Sequence, residues 1–171
     1  MSQLPKLKLW FEGARPKTIP AAVVPVIVGT ASVESSLTIY RFLLALVVSI
    51  ALQVGVNYAN DYSDGIRGTD QDRVGPRRLV GSGLVNAKRV KLAAGISFLV
   101  AAIAGLVLAI VTSLFLILIG CLAILADWFY TGGSKPFGYS GFGDISVFVF
   151  FGLVATVGSA FVQVETIEMS S

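Results

Sequence analysis

This 171-residue sequence predicts an all-α integral membrane protein, and three observations carry that expectation. Hydrophobic residues make up 55% of the chain, and its mean hydropathy is +0.81. Only 13% of its residues are charged, against about a quarter in an ordinary soluble domain. Those charges are also clustered, with none in residues 92–126 and none in residues 145–164. A helix crossing a bilayer needs roughly 20 apolar residues, so the first stretch suits a pair of short spans and the second a single one. Backbone in lipid must satisfy its own hydrogen bonds. Uninterrupted apolar runs of this length therefore read as helices and not as the alternating strands of a barrel.

Taken in order, residues 1–17 mix Leu7, Leu9, Trp10 and Phe11 with Lys6, Lys8, Glu12 and Arg15. That pattern suits an interfacial helix with Trp10 at headgroup level. A first span is expected over residues 18–31, with Pro20 and Pro25 inside it, and a polar turn at Glu34, Ser35 and Ser36 follows. A second span, residues 40–58, runs into an acidic segment, and a long connection rich in Gly, Arg and Asp extends to about Lys91. Spans at 92–111 and 114–129 are separated by Thr112 and Ser113. A glycine-rich loop, residues 130–143, leads to a fifth span at 144–164 and a short polar tail. The whole chain reads as one membrane domain.

Charge placement sets the topology. Lys6, Lys8, Arg15 and Lys17 precede the first span; Arg67, Arg73, Arg77, Arg78, Lys88, Arg89 and Lys91 lie between the second and third; Lys135 lies between the fourth and fifth. The opposite turns carry only Arg41. Basic loops stay cytoplasmic, so the N-terminus and the acidic segment are expected inside. The net charge of +3 follows from these topology signals and does not imply nucleic-acid binding. The chain has no His, which removes histidine bases and ligands, and its single Cys121 lies in an apolar run and cannot form an internal disulfide. Nor does the N-terminus read as a cleavable signal peptide.

The chemistry concentrates in the acidic segment. If the second span continues as a helix, Asn57, Asn60, Asp61 and Asp64 fall at i, i+3, i+4 and i+7 and share one face, with Arg67 next along it. Ionisable groups at membrane depth normally face a cavity or a partner. An all-oxygen set favours a hard cation such as Mg²⁺, which shares its shell with waters and phosphate oxygens. Arg67, Arg73, Arg77 and Arg78 offer bidentate contacts to phosphate, and Gly75, Gly81 and Gly83 would let backbone amides approach an anion. The competing reading is a solvated loop with helix-capping Asn and Asp. Asp70 and Asp72 fit either a metal site or a plain loop. Asp127, beside Trp128, fits a ligand-facing acid or an interfacial residue. Lys135 fits an anion-binding cation or a topology marker.

These residues resemble a known family. Asn60-Asp61-x-x-Asp64, followed by Arg67, Asp70 and Asp72, is similar to the first aspartate-rich motif of the UbiA-type intramembrane prenyltransferases. Three strings resemble its menaquinone-pathway branch: Ala14-Arg-Pro-Lys-Thr18, Asp72-Arg-Val-Gly-Pro-Arg-Arg-Leu-Val-Gly-Ser-Gly83 and Tyr130-Thr-Gly-Gly-Ser-Lys-Pro-Phe-Gly-Tyr139. Phe150-Phe-Gly-Leu-Val-Ala-Thr156 adds to the match, which runs from about Trp10 to Gln163. The resemblance implies a helical bundle in the bacterial inner membrane, around a cavity open to lipid. It implies Mg²⁺-dependent transfer of a polyprenyl group from polyprenyl diphosphate to 1,4-dihydroxy-2-naphthoate. Carried over residue by residue, Asn60, Asp61 and Asp64 would hold the metal and Asn57 would complete the site. Arg67, Arg73 and Arg78 would meet the diphosphate, and Tyr130 and Lys135 would stand at the cavity mouth.

The chain departs from the family in one respect. The family carries about nine spans and a second aspartate-rich motif, and no such cluster follows Asp144 here. The expectation is therefore a truncated or split form, completed by a second polypeptide or inactive. Two other readings compete. Asp61-x-x-Asp64-Gly65 also opens the motif of the CDP-alcohol phosphatidyltransferases, but Gly68-Thr69 breaks the continuation. A non-catalytic cation-binding membrane protein would carry its acids at mid-span, whereas these lie at a helix end.

Overall fold

The computed structural model describes residues 6–33, 37–69 and 78–165. In chain order these form α1 (Lys6–Gly13), a 3-10 turn (Pro16–Thr18), α2 (Ile19–Ala31), α3 (Ile39–Arg67), α4 (Ala87–Val111) and α5 (Phe115–Thr131). A second 3-10 turn (Phe137–Tyr139) follows, then α6 (Gly143–Val147), a π-helical stretch (Phe148–Val154) and α7 (Ala155–Val164). The all-α class expected from the apolar runs holds, with no strand among the described residues. The polar turn at Glu34–Ser36, the loop residues Asp70, Asp72, Arg73, Gly75 and Arg77, and the polar tail lie outside the described residues.

Three helical segments are long and apolar enough to cross a membrane: Ile39–Arg67, Ala87–Val111 and Gly143–Val164. The spans expected at 18–31 and 114–129 correspond to the shorter helices α2, 13 residues long, and α5, a 17-residue apolar helix. At about 1.5 Å per residue α2 spans roughly 20 Å, short of the ~30 Å hydrocarbon core. Its shortness has a local cause. Arg15 sits in the left-handed region (φ 52°), and Pro16 opens a 3-10 turn where a helix would otherwise continue from α1.

α3 packs against α2, α4, α5 and α7, and α1 lies on its C-terminal half. The buried positions are mostly small: Ala22, Ala59, Ala94, Ala101 and Ala109, with Val26 and Val90. Large side chains such as Leu99, Ile110, Leu118 and Phe148 point outward. This is the distribution that lipid permits, because helices associate there through close backbone approach and not through expulsion of hydrocarbon from water. At the tightest crossings the close approach is literal. A Cβ on Gly55 would lie 2.5 Å from the Phe98 ring, and one on Gly29 would lie 2.0 Å from the Thr156 carbonyl oxygen.

The opposite end of the bundle is tied by Arg41. Its guanidinium donates to the carbonyls of Val111 (3.2 Å) and Val162 (2.9 Å), at the ends of α4 and α7, and pairs with Glu165 at 2.5 Å. Terminal helix carbonyls lack intrahelical partners and carry partial negative charge, so one cation serves two helix ends at once. The single Arg that stands against the topology pattern is thus held by packing. Thr38 adds a link, its N–H donating to Gln163 Oε1 at 2.9 Å.

Gly29→Ala should force α2 from α7, at a cost of about 1–3 kcal/mol typical of overpacking. A lowered thermal unfolding midpoint in detergent would report it, and an unchanged midpoint would show that the crossing is looser than described.

Candidate functional site

α3 remains helical through Arg67, so Asn57, Asn60, Asp61 and Asp64 do share a face. The helix closes on Gly68, left-handed at φ 73°, whose N–H reaches the carbonyls of Asp64 and Gly65. Only glycine takes that conformation without strain, which is why the acidic face stops there.

Each side chain on this face has specific partners. Asn57 Nδ2 donates to the Ala14 carbonyl and to Thr18 Oγ1, both at 2.9 Å, and Gln53 Nε2 reaches the same hydroxyl at 3.2 Å. These bonds fasten the Ala14–Thr18 turn to α3 and support the unusual backbone of Arg15 between them, a conformation that costs roughly 1–3 kcal/mol for a non-glycine residue. Trp10 packs edge-on against Tyr58 at 5.8 Å, and the Tyr58 hydroxyl donates to the Trp10 carbonyl. The charge of Arg15, so placed, acts on Asp61.

Asp61 is 1% exposed. Its Oδ2 accepts the Leu79 N–H at 2.8 Å and its Oδ1 the Val80 N–H at 3.0 Å. The carboxylate therefore holds the turn after the polar connection, which closes through Val85 N–H on the Leu79 carbonyl. Arg78 stands next to that anchor and pairs with Asp64 Oδ2 at 3.4 Å, both side chains being about nine-tenths buried. The other Asp64 oxygen accepts the Tyr139 hydroxyl. Asn60 Oδ1 accepts Thr131 Oγ1 at 2.7 Å.

Arg67 donates to the carbonyls of Thr131 and Gly133 and lies over the Tyr139 ring, 5.9 Å from its centroid. It thereby binds the loop after α5 to the end of α3. Tyr130 packs edge-on against Phe137 at 5.7 Å and lies tight against Gly138 and Gly143. Lys135 is exposed on the same loop. The fold thus gathers Asn57, Asn60, Asp61, Asp64, Arg67 and Arg78 at one end of the bundle. Tyr130 and Lys135 are left on its flank, and Arg73 lies outside the described residues.

Four contributors had no role assigned from sequence: Tyr139, Thr131, Thr18 and Arg15. Each meets the acidic face across a long chain separation, and the signal for them was their place in the Ala14–Thr18 and Tyr130–Tyr139 motifs, which does not say what they touch. Partial burial pushes the Tyr139 hydroxyl above the ordinary tyrosine value, its bond to Asp64 adds to the effect, and Arg67 opposes it.

No cluster of three or more Asp, Glu, His or Cys occurs among the described residues. The donor chemistry nevertheless fits a hard cation of the kind that uses one or two carboxylates together with substrate phosphate and water. As metal ligands Asn60, Asp61 and Asp64 offer only oxygen, the donor type that a hard cation takes.

Two outcomes follow. Asp61→Asn places an amide N–H₂ against a backbone N–H, and hydrogen-exchange protection of Leu79 and Val80 should fall about tenfold or more; unchanged protection would mean that another group holds the turn. Tyr139 keeps its proton, and its bond to Asp64, beyond the ordinary value of about 10 and loses both only as pH rises through the raised value. An alkaline ultraviolet titration should therefore lose one component that titrates above the ordinary tyrosine value in Tyr139→Phe.

Comparison with known proteins identifies the family. Residues 22–170 match the UbiA prenyltransferase family. The chain is 52% identical over 161 residues to proteins from Mycobacterium tuberculosis and Mycobacterium leprae, and 38% identical over 174 residues to one from Escherichia coli. Each is named 1,4-dihydroxy-2-naphthoate octaprenyltransferase. The alignments cover 93%, 93% and 96% of this chain but only 55%, 55% and 56% of those proteins, so it spans about half their length. No solved structure matches significantly. A multi-pass helical membrane chain with these motifs in this order belongs to the UbiA prenyltransferase family.

Proposed function

We propose that this chain forms the diphosphate-binding end of a polyprenyltransferase that moves a polyprenyl group from polyprenyl diphosphate onto 1,4-dihydroxy-2-naphthoate. The rest of the family's length would be supplied in the same or a second polypeptide. The observation that carries this reading is the Asp64–Arg78 pair, set beside Arg67 at one end of α3 and held there by the Asp61 anchor. A diphosphate competes well for such a cation, because phosphate oxygens take bidentate charge-assisted bonds from guanidinium groups.

In this reading Arg78 binds and orients the diphosphate, and Asp61 positions Arg78 through the Leu79–Val80 backbone. Asn60, Asp61 and Asp64 would hold Mg²⁺, which neutralises diphosphate charge and so makes it a better leaving group. Tyr139 keeps a proton on Asp64 Oδ1's partner hydroxyl and orients that carboxylate. Arg67 fixes the Thr131–Gly133 segment over the site. Transfer breaks the C–O bond to diphosphate and forms a C–C bond to the electron-rich ring, whose carboxylate departs as CO₂. The positive-inside bias of the basic segments supports a bacterial inner-membrane protein with this end and the N-terminus on the cytoplasmic side.

The test uses membranes carrying the chain, alone and co-expressed with the C-terminal portion of the M. tuberculosis relative, supplied with both substrates. Prenylated product is expected with Mg²⁺, lost on chelation and restored by Mg²⁺. Asp64→Asn and Arg78→Ala should each lower turnover about 100-fold or more, the scale of losing one preorganised electrostatic contact. Full activity in Asp61→Ala and Asp64→Ala would overturn the site. Absence of product in every combination would leave the non-catalytic reading, a cation-binding membrane segment.

A further inference from the structure

The stretch from Thr131 to Tyr139 is tied to the acidic face by three side chains of α3. Thr131 Oγ1 donates to Asn60 Oδ1 at 2.7 Å, the Tyr139 hydroxyl donates to Asp64 Oδ1, and the Arg67 guanidinium donates to the carbonyls of Thr131 and Gly133. The rest of the stretch is built on itself. Phe137 packs edge-on against Tyr130, and Gly138 is so close that a Cβ there would lie 2.5 Å from the Tyr130 carbonyl oxygen. Gly133 (φ 78°) and Gly141 (φ 80°), both left-handed, flank this compact piece and give it two pivots.

Each of the three ties uses a group that a metal-bound diphosphate would need. Asn60 and Asp64 are oxygen ligands for a hard cation, and Arg67 has the fork that matches phosphate. A hydroxyl proton and a metal ion both bring positive charge to the same Asp64 oxygen, so they repel each other there. The partners of the two acids differ in how firmly they are held. Asp61 is fixed by the backbone N–H groups of Leu79 and Val80, and Arg78 brings a full charge to Asp64 from a position about nine-tenths buried. Tyr139 is a neutral donor carried on a three-residue 3-10 turn, and it is the partner that gives way.

We infer that residues 131–139 form a latch, which gives up Asp64, Asn60 and Arg67 together to a metal-bound diphosphate. This regulation rests on the proposed reading of the site and deepens it. Backbone carbonyls are neutral acceptors, and phosphate oxygens make stronger charge-assisted bonds to the same guanidinium, so Arg67 changes partners favourably. Tyr139 orients Asp64 while the latch is shut. Latch and ligand therefore oppose each other: loss of a latch contact strengthens binding, and binding loosens the latch by the same factor. A tyrosine that only supported the bound site would behave in the opposite way, because its loss would weaken binding.

The probe is inorganic diphosphate with Mg²⁺, titrated calorimetrically into the full chain in nanodiscs, alone and together with the C-terminal portion of the M. tuberculosis relative. Tyr139→Phe keeps the ring and removes only the donor. It should bind about tenfold more tightly than wild type, the scale of one hydrogen bond to a charged group. Hydrogen exchange reads the reciprocal effect in the unaltered chain, where amides in residues 132–140 should lose protection about tenfold when Mg²⁺ and diphosphate are added together. Equal or weaker binding by Tyr139→Phe, or exchange that is unchanged or slowed on binding, would overturn the latch and leave the site standing. No binding in any preparation would overturn both.

Discussion

A carboxylate sealed at the inner edge of a membrane bundle must find its donors within the chain, and Asp61 finds them in two consecutive backbone amides. Much of the site depends on that pair of bonds. They bring the end of a long polar connection back onto α3, and they set Leu79 beneath Gly13, where a Cβ would be only 2.5 Å from the leucine side chain. They also place Arg78 where it can meet Asp64. A carboxylate accepting two N–H groups is well satisfied in a medium of low polarity, so the acid that the sequence pattern marks as reactive also serves as the local scaffold.

The bonds at the two ends of the bundle have a common logic. At the acidic end Asn57, Gln53, Asn60 and Arg67 spend their donors and acceptors on turns: 14–18, then 131–133. At the opposite end Arg41 gathers the carbonyl termini of α4 and α7. Between the ends, small residues let backbones approach, and polar bonds are few. Specific geometry is therefore fixed where water is near and the chain turns, while the middle is held by shape.

The helices were legible because charge-free runs in lipid have one backbone solution, and because the i, i+3, i+4, i+7 spacing of Asn57 to Asp64 is itself a helical signature. The family was legible from motif order across the chain. The partners of the acidic face were not. Tyr139 and Thr131 reach it from more than sixty residues away, and nothing in local spacing says that a glycine-rich loop folds back over α3. The bounds of α2 were legible, close to the expected 18–31, but the cause of its start was not: it lies upstream, in the left-handed Arg15 and the proline after it. Arg67, read as a phosphate contact, is engaged with backbone carbonyls in this structure, a use that its charge alone could not reveal.

The π-helical stretch from Phe148 to Val154 bears on how this family can vary. A π turn accommodates about one more residue than an α turn, so such a segment shifts the angular phase of everything beyond it. Thr156, whose backbone lies against Gly29, and Ser159 and Gln163, which are buried, all follow it. Losing a single residue within 148–154 would turn α7 by about 100° relative to α6. The lipid-facing side chain of Val157 would then be carried toward the bundle, and Gln163 toward hydrocarbon. A one-residue length change in this stretch is thus a change of face, and sequence comparisons across it must keep count of residues even where the side chains are interchangeable.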